Sequence, residues 1–303
     1  MIKYSAFIFK VGKSEIKLQH YLALCKLKVV AVMLITSLVG MLLAQDSIPS
    51  IITMVIALVG IALVTSAGAA INHVMDFKID RQMQRTKWRP LPQGQVSSQQ
   101  ALFFALTIGA LGIYLLAVYI NMLTAWLTLI SLVGYALIYT VWLKRATPQN
   151  IVIGGLAGAT PPLLGWTAIS GTVSADSLLL VLILFAWTPP HFWSLCLARK
   201  SDYAKAEVPM LPITHGEKHT KLSIVLYSVL LVLTTIMPFL TQMSGVIYLL
   251  LVTVLNIRFF QWALRVYTDV NHSQMAMFRY SIKYIMLLFL ALLVDHYLNI
   301  FIT

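Results

Sequence analysis

Residues 51–80 read IITMVIALVGIALVTSAGAAINHVMDFKID. From Ile51 to Met75 the run holds no Asp, Glu, Lys or Arg. A helix needs about 20 mostly apolar residues to cross the hydrocarbon core of a bilayer, and the segment 51–71 meets that need. The polar side chains then arrive together, as Asn72, His73, Asp76, Lys78 and Asp80. A bilayer-length helix ending in such a cluster sets the fold class and says where to look for chemistry.

The rest of the chain is of the same kind. Of its 303 residues 59% are hydrophobic and 11% charged, with a mean hydropathy of +0.85. Soluble domains carry about 25% charged residues. Nine stretches qualify as spans, roughly 24–44, 51–71, 100–119, 122–142, 149–168, 176–197, 221–240, 245–264 and 279–298. The expected fold is therefore all-α, nine transmembrane helices bundled around a central cavity. The third and fourth spans are separated by a short turn near Asn121, the seventh and eighth by one near Ser244-Gly245.

The net charge of +12 invites a nucleic-acid reading, but its placement points to a lipid bilayer. Lys3, Lys10, Lys13, Lys17, Lys26 and Lys28 precede or open the first span. Lys78, Arg81, Arg85, Lys87 and Arg89 follow the second, and Lys144 and Arg145 the fourth. Arg199, Lys200, Lys205, Lys218 and Lys221 follow the sixth, and Arg258, Arg265, Arg279 and Lys283 cluster about the eighth-to-ninth connection. These are all 22 basic residues of the chain, and the alternate loops have none. Lys and Arg concentrate in cytoplasmic loops, so a nine-span chain has its N-terminus inside and its C-terminus outside. Arg258 must snorkel or face the interior. Residues 1–20 are expected to be a basic cytoplasmic tail at the membrane surface, without the uninterrupted apolar core of a secretory signal. Residues 21–303 form one transmembrane domain. Cys25 and Cys196 make no CxxC or CxxCH pattern and are read as inert thiols.

Two inside loops are long, 72–99 and 198–220, and hold most of the polar chemistry. Asn72, Asp76 and Asp80 are four and four apart, which on a helix puts them on one stripe with about 6 Å between neighbours. Mg²⁺ takes one or two carboxylates plus phosphate oxygens and water, so this stripe suits an Mg²⁺–diphosphate ligand. The plainer alternative is a hydrated acidic helix end paired with Lys78 and Arg81. Arg81, Arg85, Lys87 and Arg89 follow at once. Guanidinium forks bind phosphate oxygens, although inside-loop topology alone also places cations there.

The string Asn72-xxx-Asp76-xxx-Asp80 resembles the first aspartate-rich motif of intramembrane prenyltransferases. With Met83, Arg85-Thr86 and Arg89-Pro90-Leu91 it looks like the protohaem IX farnesyltransferase branch. The likeness continues through Trp142-Leu143-Lys144-Arg145, Thr147-Pro148-Gln149-Asn150, Pro161-Pro162, Trp187 to Trp193, and Pro209-Met210-Leu211-Pro212. It spans about residues 20 to 295. One departure concerns the second metal motif of the superfamily. Here Asp202-Tyr203-xxx-Glu207 puts its acids five apart, and Glu207 stands where a small residue is expected. Asp202 is read as a further metal ligand, Glu207 as solvated, and Tyr203 as a substrate contact.

The resemblance implies transfer of a farnesyl group from farnesyl diphosphate to a vinyl group of haem B, with addition of water, to give haem O. Mg²⁺ would be held by Asn72, Asp76, Asp80 and Asp202. Arg81, Arg85 and Lys87 would stabilise the leaving diphosphate, with Arg89, Lys144 and Arg145 contacting substrate. His191, beside Trp193, and His73, inside the first motif, are candidates to meet the porphyrin or its iron; each could equally be a hydrogen-bonded bundle histidine. Pro189 and Pro190 suggest a helix break lining a cavity. Gly154, Gly158 and Ala159 suggest close helix packing. Haem B is a substrate here rather than a prosthetic group. The partners implied are the two substrates and the bilayer of a bacterial inner membrane, with handover of product to a haem A synthase or terminal oxidase. The alternatives are a prenyltransferase for another acceptor, such as an aromatic quinone precursor, and a membrane transporter.

Overall fold

The protein is described by a computed structural model covering residues 8–11 and 14–302, with side chains from 18 to 298. Residues 1–7, 12–13 and 303 lie outside the described residues, so part of the expected basic tail, including Lys3 and Lys13, does too. The described part of the tail holds two short strands beside the helical body. Ile8–Val11 (β1) and Ser14–Lys17 (β2) pair antiparallel, Ile8 opposite Lys17.

The body is helical. Its elements are α1 (Leu18–Leu24), α2 (Leu27–Leu43), α3 (Ile51–Met75), α4 (Phe77–Gln82) and α5 (Ser98–Tyr119). Then come α6 (Met122–Ala146), α7 (Asn150–Ser170) and α8 (Ala175–Ala198). Short α9 (Lys200–Lys205) and α10 (Leu211–Thr214) precede α11 (Gly216–Leu240), α12 (Val246–Tyr267) and α13 (Ser273–Ile302). Eight of these are long and apolar enough to cross a membrane. A ninth span arises only if α1 and α2, bent by 55° at their junction, count as one.

Local signals set the boundaries. Ser97 and Gln100 form a reciprocal capping box that starts α5, and Ser174 with Ser177 does the same for α8. Asn121 starts α6 by accepting from the Thr124 amide at 2.8 Å. The start of α12 is capped from another helix. Asp295 of α13 accepts from the amides of Gly245 at 2.5 Å and Tyr248 at 3.0 Å, which ties the two helices together. The helix break expected at Pro189-Pro190 is absent, since α8 runs unbroken through both. Adjacent prolines release carbonyls within a single turn, and packed neighbours tolerate that in a membrane helix. Arg258 faces outward over the Trp262 ring at 5.4 Å, bonded to Gln261; it snorkels.

Each span packs on the next, and α13 returns against α2, so the bundle closes into a ring. Lipid offers no hydrophobic drive between helices, so close packing must hold them. The tightest seam joins α2 to the second half of α7. A Cβ on Gly40 would overlap the Pro162 carbonyl and one on Gly165 the Ser37 carbonyl. The Ser37 hydroxyl donates to Pro161 O at 2.9 Å across the same seam. Of the small residues read as packing points, Gly154 lies under the Tyr139 ring and Ala159 is buried, but Gly158 meets nothing within 4 Å.

Gly165→Ala should therefore cost about 1–3 kcal/mol by overpacking. Thermal unfolding in detergent should show this as a clear drop in Tm, whereas Gly158→Ala should leave Tm within error.

Candidate active site

The α3–α4 junction falls at Asp76, which has φ −86° and ψ 2°. The winding nevertheless continues across it. The Asp76 amide donates to Asn72 O at 2.9 Å and the Asp80 amide to Asp76 O at 2.8 Å. Asn72, Asp76 and Asp80 thus share one stripe, and all three are at most 4% exposed.

A carboxylate in so dry a place needs a cation or a hydrogen-bond donor. Cations arrive from three other parts of the chain. Lys144 of α6 pairs with Asp76 Oδ2 at 2.6 Å. Arg89, in the loop before α5, pairs with Asp80 Oδ2 at 2.6 Å. Lys26 donates to Asn72 Oδ1 at 2.5 Å. Lys26 sits at the α1–α2 break in left-handed conformation, φ 50° and ψ 49°. The chain bends between α1 and α2 where Lys26 turns to the site. Arg145 adds a fourth cation, donating to Met75 O at 3.0 Å at the end of α3. There it satisfies a terminal carbonyl and opposes the negative end of the helix dipole.

Asn72 is oriented by its partners. Its Nδ2 donates to Asp76 Oδ2 at 2.9 Å and to Thr140 Oγ1 at 3.2 Å, while Thr140 donates on to Tyr135 O at 2.8 Å. Thr140 lies in Gly134–Leu143, a π-helical stretch of α6, and such stretches recur at functional sites. Tyr135 and Tyr139 stack at 5.7 Å on this stretch, within electrostatic reach of Asp76. One oxygen is left over. Asp76 Oδ1 is buried with no hydrogen-bond partner.

On the α8–α9 side, Asp202 and Tyr203 are buried and Glu207 is exposed. Glu207 has φ 52°, a left-handed backbone that favours glycine, which accounts for the small residue expected there. Asp202 has no ion pair among the described residues. Burial, chiefly, pushes the Tyr203 hydroxyl up, while Arg85 and Arg89 act in the opposite sense. Both arginines are within electrostatic reach of Tyr203, and Arg89 also pairs with Asp80.

Among the described residues, the others read as site residues make no bond to the stripe, although His73 lies within electrostatic reach of Lys26 and Arg89. Arg81 is exposed over the Phe77 ring and Lys87 lies over Trp88. His73 is 2% exposed, with both ring nitrogens sealed and unpartnered. Trp193 is packed edge-on to Tyr227, its Nε1 buried and unpartnered. His191 lies on α8 between Trp187 and Phe278. Lys26, Thr140, Tyr135 and Tyr139 were not singled out by sequence. The only signal for Lys26 was a charge at the opening of an apolar run.

Among the described residues no three His, Cys, Asp or Glu side chains converge. The protein's oxygens make an open half-site, the kind Mg²⁺ completes with substrate oxygens and water. Asp76 Oδ1, with the acidic stripe around it, fits such an ion.

The sequence profile of the UbiA prenyltransferase family matches residues 33–293. The chain belongs to that family. A protoheme IX farnesyltransferase from Hahella chejuensis is 54% identical over 283 residues, 93% of this chain and 95% of the relative. Protoheme IX farnesyltransferase 1 from Pseudomonas aeruginosa is 56% identical, covering 92% of this chain and 94% of its own. Solved structures share the fold. A structure of digeranylgeranylglyceryl phosphate synthase superposes with TM-score 0.77 at 22% identity, covering 92% of this chain and 98% of that one. A UbiA homolog from Archaeoglobus fulgidus, bound to DMAPP and Mg²⁺, does so with TM-score 0.66 at 16% identity, covering 90% and 99%. The ring of spans is thus the fold these structures share.

The Asp76–Lys144 pair gives a test of the electrostatics. Lys144→Met leaves a buried carboxylate uncompensated, which should cost about 3–5 kcal/mol. Asp76→Asn combined with Lys144→Met should recover most of that loss in a double-mutant cycle of detergent stability.

Proposed function

We propose that the chain transfers the farnesyl group of farnesyl diphosphate to a vinyl group of haem B, adding water to give haem O and diphosphate. The donor half of this reading is carried by the buried, unpartnered Asp76 Oδ1 within a ring of cations. The acceptor half is supported by relatives over half identical along more than nine-tenths of the chain, which bear the name protoheme IX farnesyltransferase.

Asn72, Asp76 and Asp80, with Asp202 opposite, would hold Mg²⁺. When bound, Mg²⁺ neutralises charge on the diphosphate. The remaining work falls to the chain's own groups. Lys26, Lys144, Arg89 and Arg85 bind the diphosphate oxygens and stabilise the charge that grows as the allylic C–O bond breaks. The bonding pair leaves with the diphosphate. The vinyl π electrons attack the farnesyl cation, water captures the new cation beside the porphyrin ring, and its proton passes to the released diphosphate. The apolar walls of the bundle keep water from the first cation. His191 and His73 are the candidate haem contacts.

The placement of basic residues supports nine spans, the bent α1–α2 pair being the first, with the N-terminus cytoplasmic and the C-terminus external. A bacterial inner membrane suits that topology.

Purified protein incubated with haem B, farnesyl diphosphate and Mg²⁺ should form haem O, identified by chromatography and mass. Asp76→Asn and Asp80→Asn should each lower kcat at least about 100-fold, the scale of losing one preorganised electrostatic group, while the variants still insert. Near-normal rates in both would remove the metal–diphosphate assignment.

A further inference from the structure

We infer that Nε2 of His191 is the axial ligand of the substrate haem iron and that Ser281 is the residue that makes it one. This deepens the proposed function and rests on its haem acceptor. The Ser281 hydroxyl donates its only hydrogen to Phe278 O at 2.7 Å. Its oxygen lies 2.6 Å from His191 Nδ1 and, with that hydrogen on Phe278 O, accepts from the ring. That puts the ring proton on Nδ1 and the free lone pair on Nε2, the tautomer an iron ligand needs.

The ring cannot turn away from this arrangement. Trp187 stacks on one face at 4.2 Å and 18°, and Phe278 on the other at 4.7 Å and 26°. The Trp187 indole N–H donates to Ser281 O at 2.9 Å, so the same residue braces one wall of the sandwich. Both faces and the Nδ1 edge are occupied. Nε2 has no partner among the described residues, and protein does not seal it. A metal ligated in the plane of the imidazole would stand its porphyrin across the Trp187 and Phe278 edges. His73, the other candidate, has neither a fixed tautomer nor an open nitrogen.

The position suits the reaction. His191 lies seven residues before the end of α8 at Ala198, or about 10 Å along the helix. Asp76 stands just past the end of α3, so the iron would sit deeper in the bundle than the diphosphate.

Resonance Raman spectroscopy of the ferrous haem-bound protein tests this, because an iron–imidazole stretch reports the ligand directly. The wild-type protein and His73→Ala should show the band. His191→Ala should lose it, and free imidazole should restore it, which separates loss of the ligand from loss of the fold. Ser281→Ala should weaken haem binding by about 10-fold, the scale of losing a ligand's hydrogen-bond partner, and shift the band; Ser281→Thr should restore both. A band that survives in His191→Ala, or disappears in His73→Ala, would overturn the inference. Haem O formed by wild-type protein that lacks the band would overturn the ligation and keep the reaction. The band without haem O would support the ligation and count against the reaction.

Discussion

Two carboxylates, Asp76 and Asp80, are sealed almost completely from water where a bilayer-length helix ends. Left alone they would be too costly to keep ionised. Much of the architecture around them meets that constraint. The bend between α1 and α2 delivers Lys26. Helix α6 runs on past its apolar stretch to deliver Lys144 and Arg145. The loop after α4 folds back to bring Arg89 to Asp80. Cations from separate parts of the chain converge because the acids require them, and the convergence makes a site suited to a diphosphate.

The arrangement is balanced for exchange. Lys144 and Arg89 pair with the acids, and they are the groups a diphosphate would attract. One sealed oxygen, Asp76 Oδ1, remains without a hydrogen-bond partner. A metal ion arriving with its anionic ligand would satisfy that oxygen and replace the charge the cations withdraw. A dry, preorganised set of charges contributes more than the same charges in water. The ring of packed spans keeps it dry, and the α2–α7 seam, with its glycines against carbonyls, helps hold that ring closed.

The spans were legible because a bilayer leaves a strong mark, an uncharged run of fixed length, and the stripe was legible because helical spacing survives the break at Asp76. Less local features were not. Lys26 meets Asn72 across 46 positions through a left-handed backbone that no local pattern announces. The π-helical turn that aims Thr140 at Asn72 is set by packing. Pro189-Pro190 was misread as a break because the prolines' effect depends on neighbours that sequence does not show. Ser281, 90 positions from His191, carried no signal of its own.

The central claim is that the acids and cations form one site for a metal–diphosphate pair. It is tested most directly by calorimetric titration of the unreactive farnesyl thiodiphosphate, with and without Mg²⁺. The account predicts reciprocal coupling, each ligand tightening the other, and its loss in Asp76→Asn. Binding of the analogue that is indifferent to Mg²⁺, or coupling that survives Asp76→Asn, would contradict it.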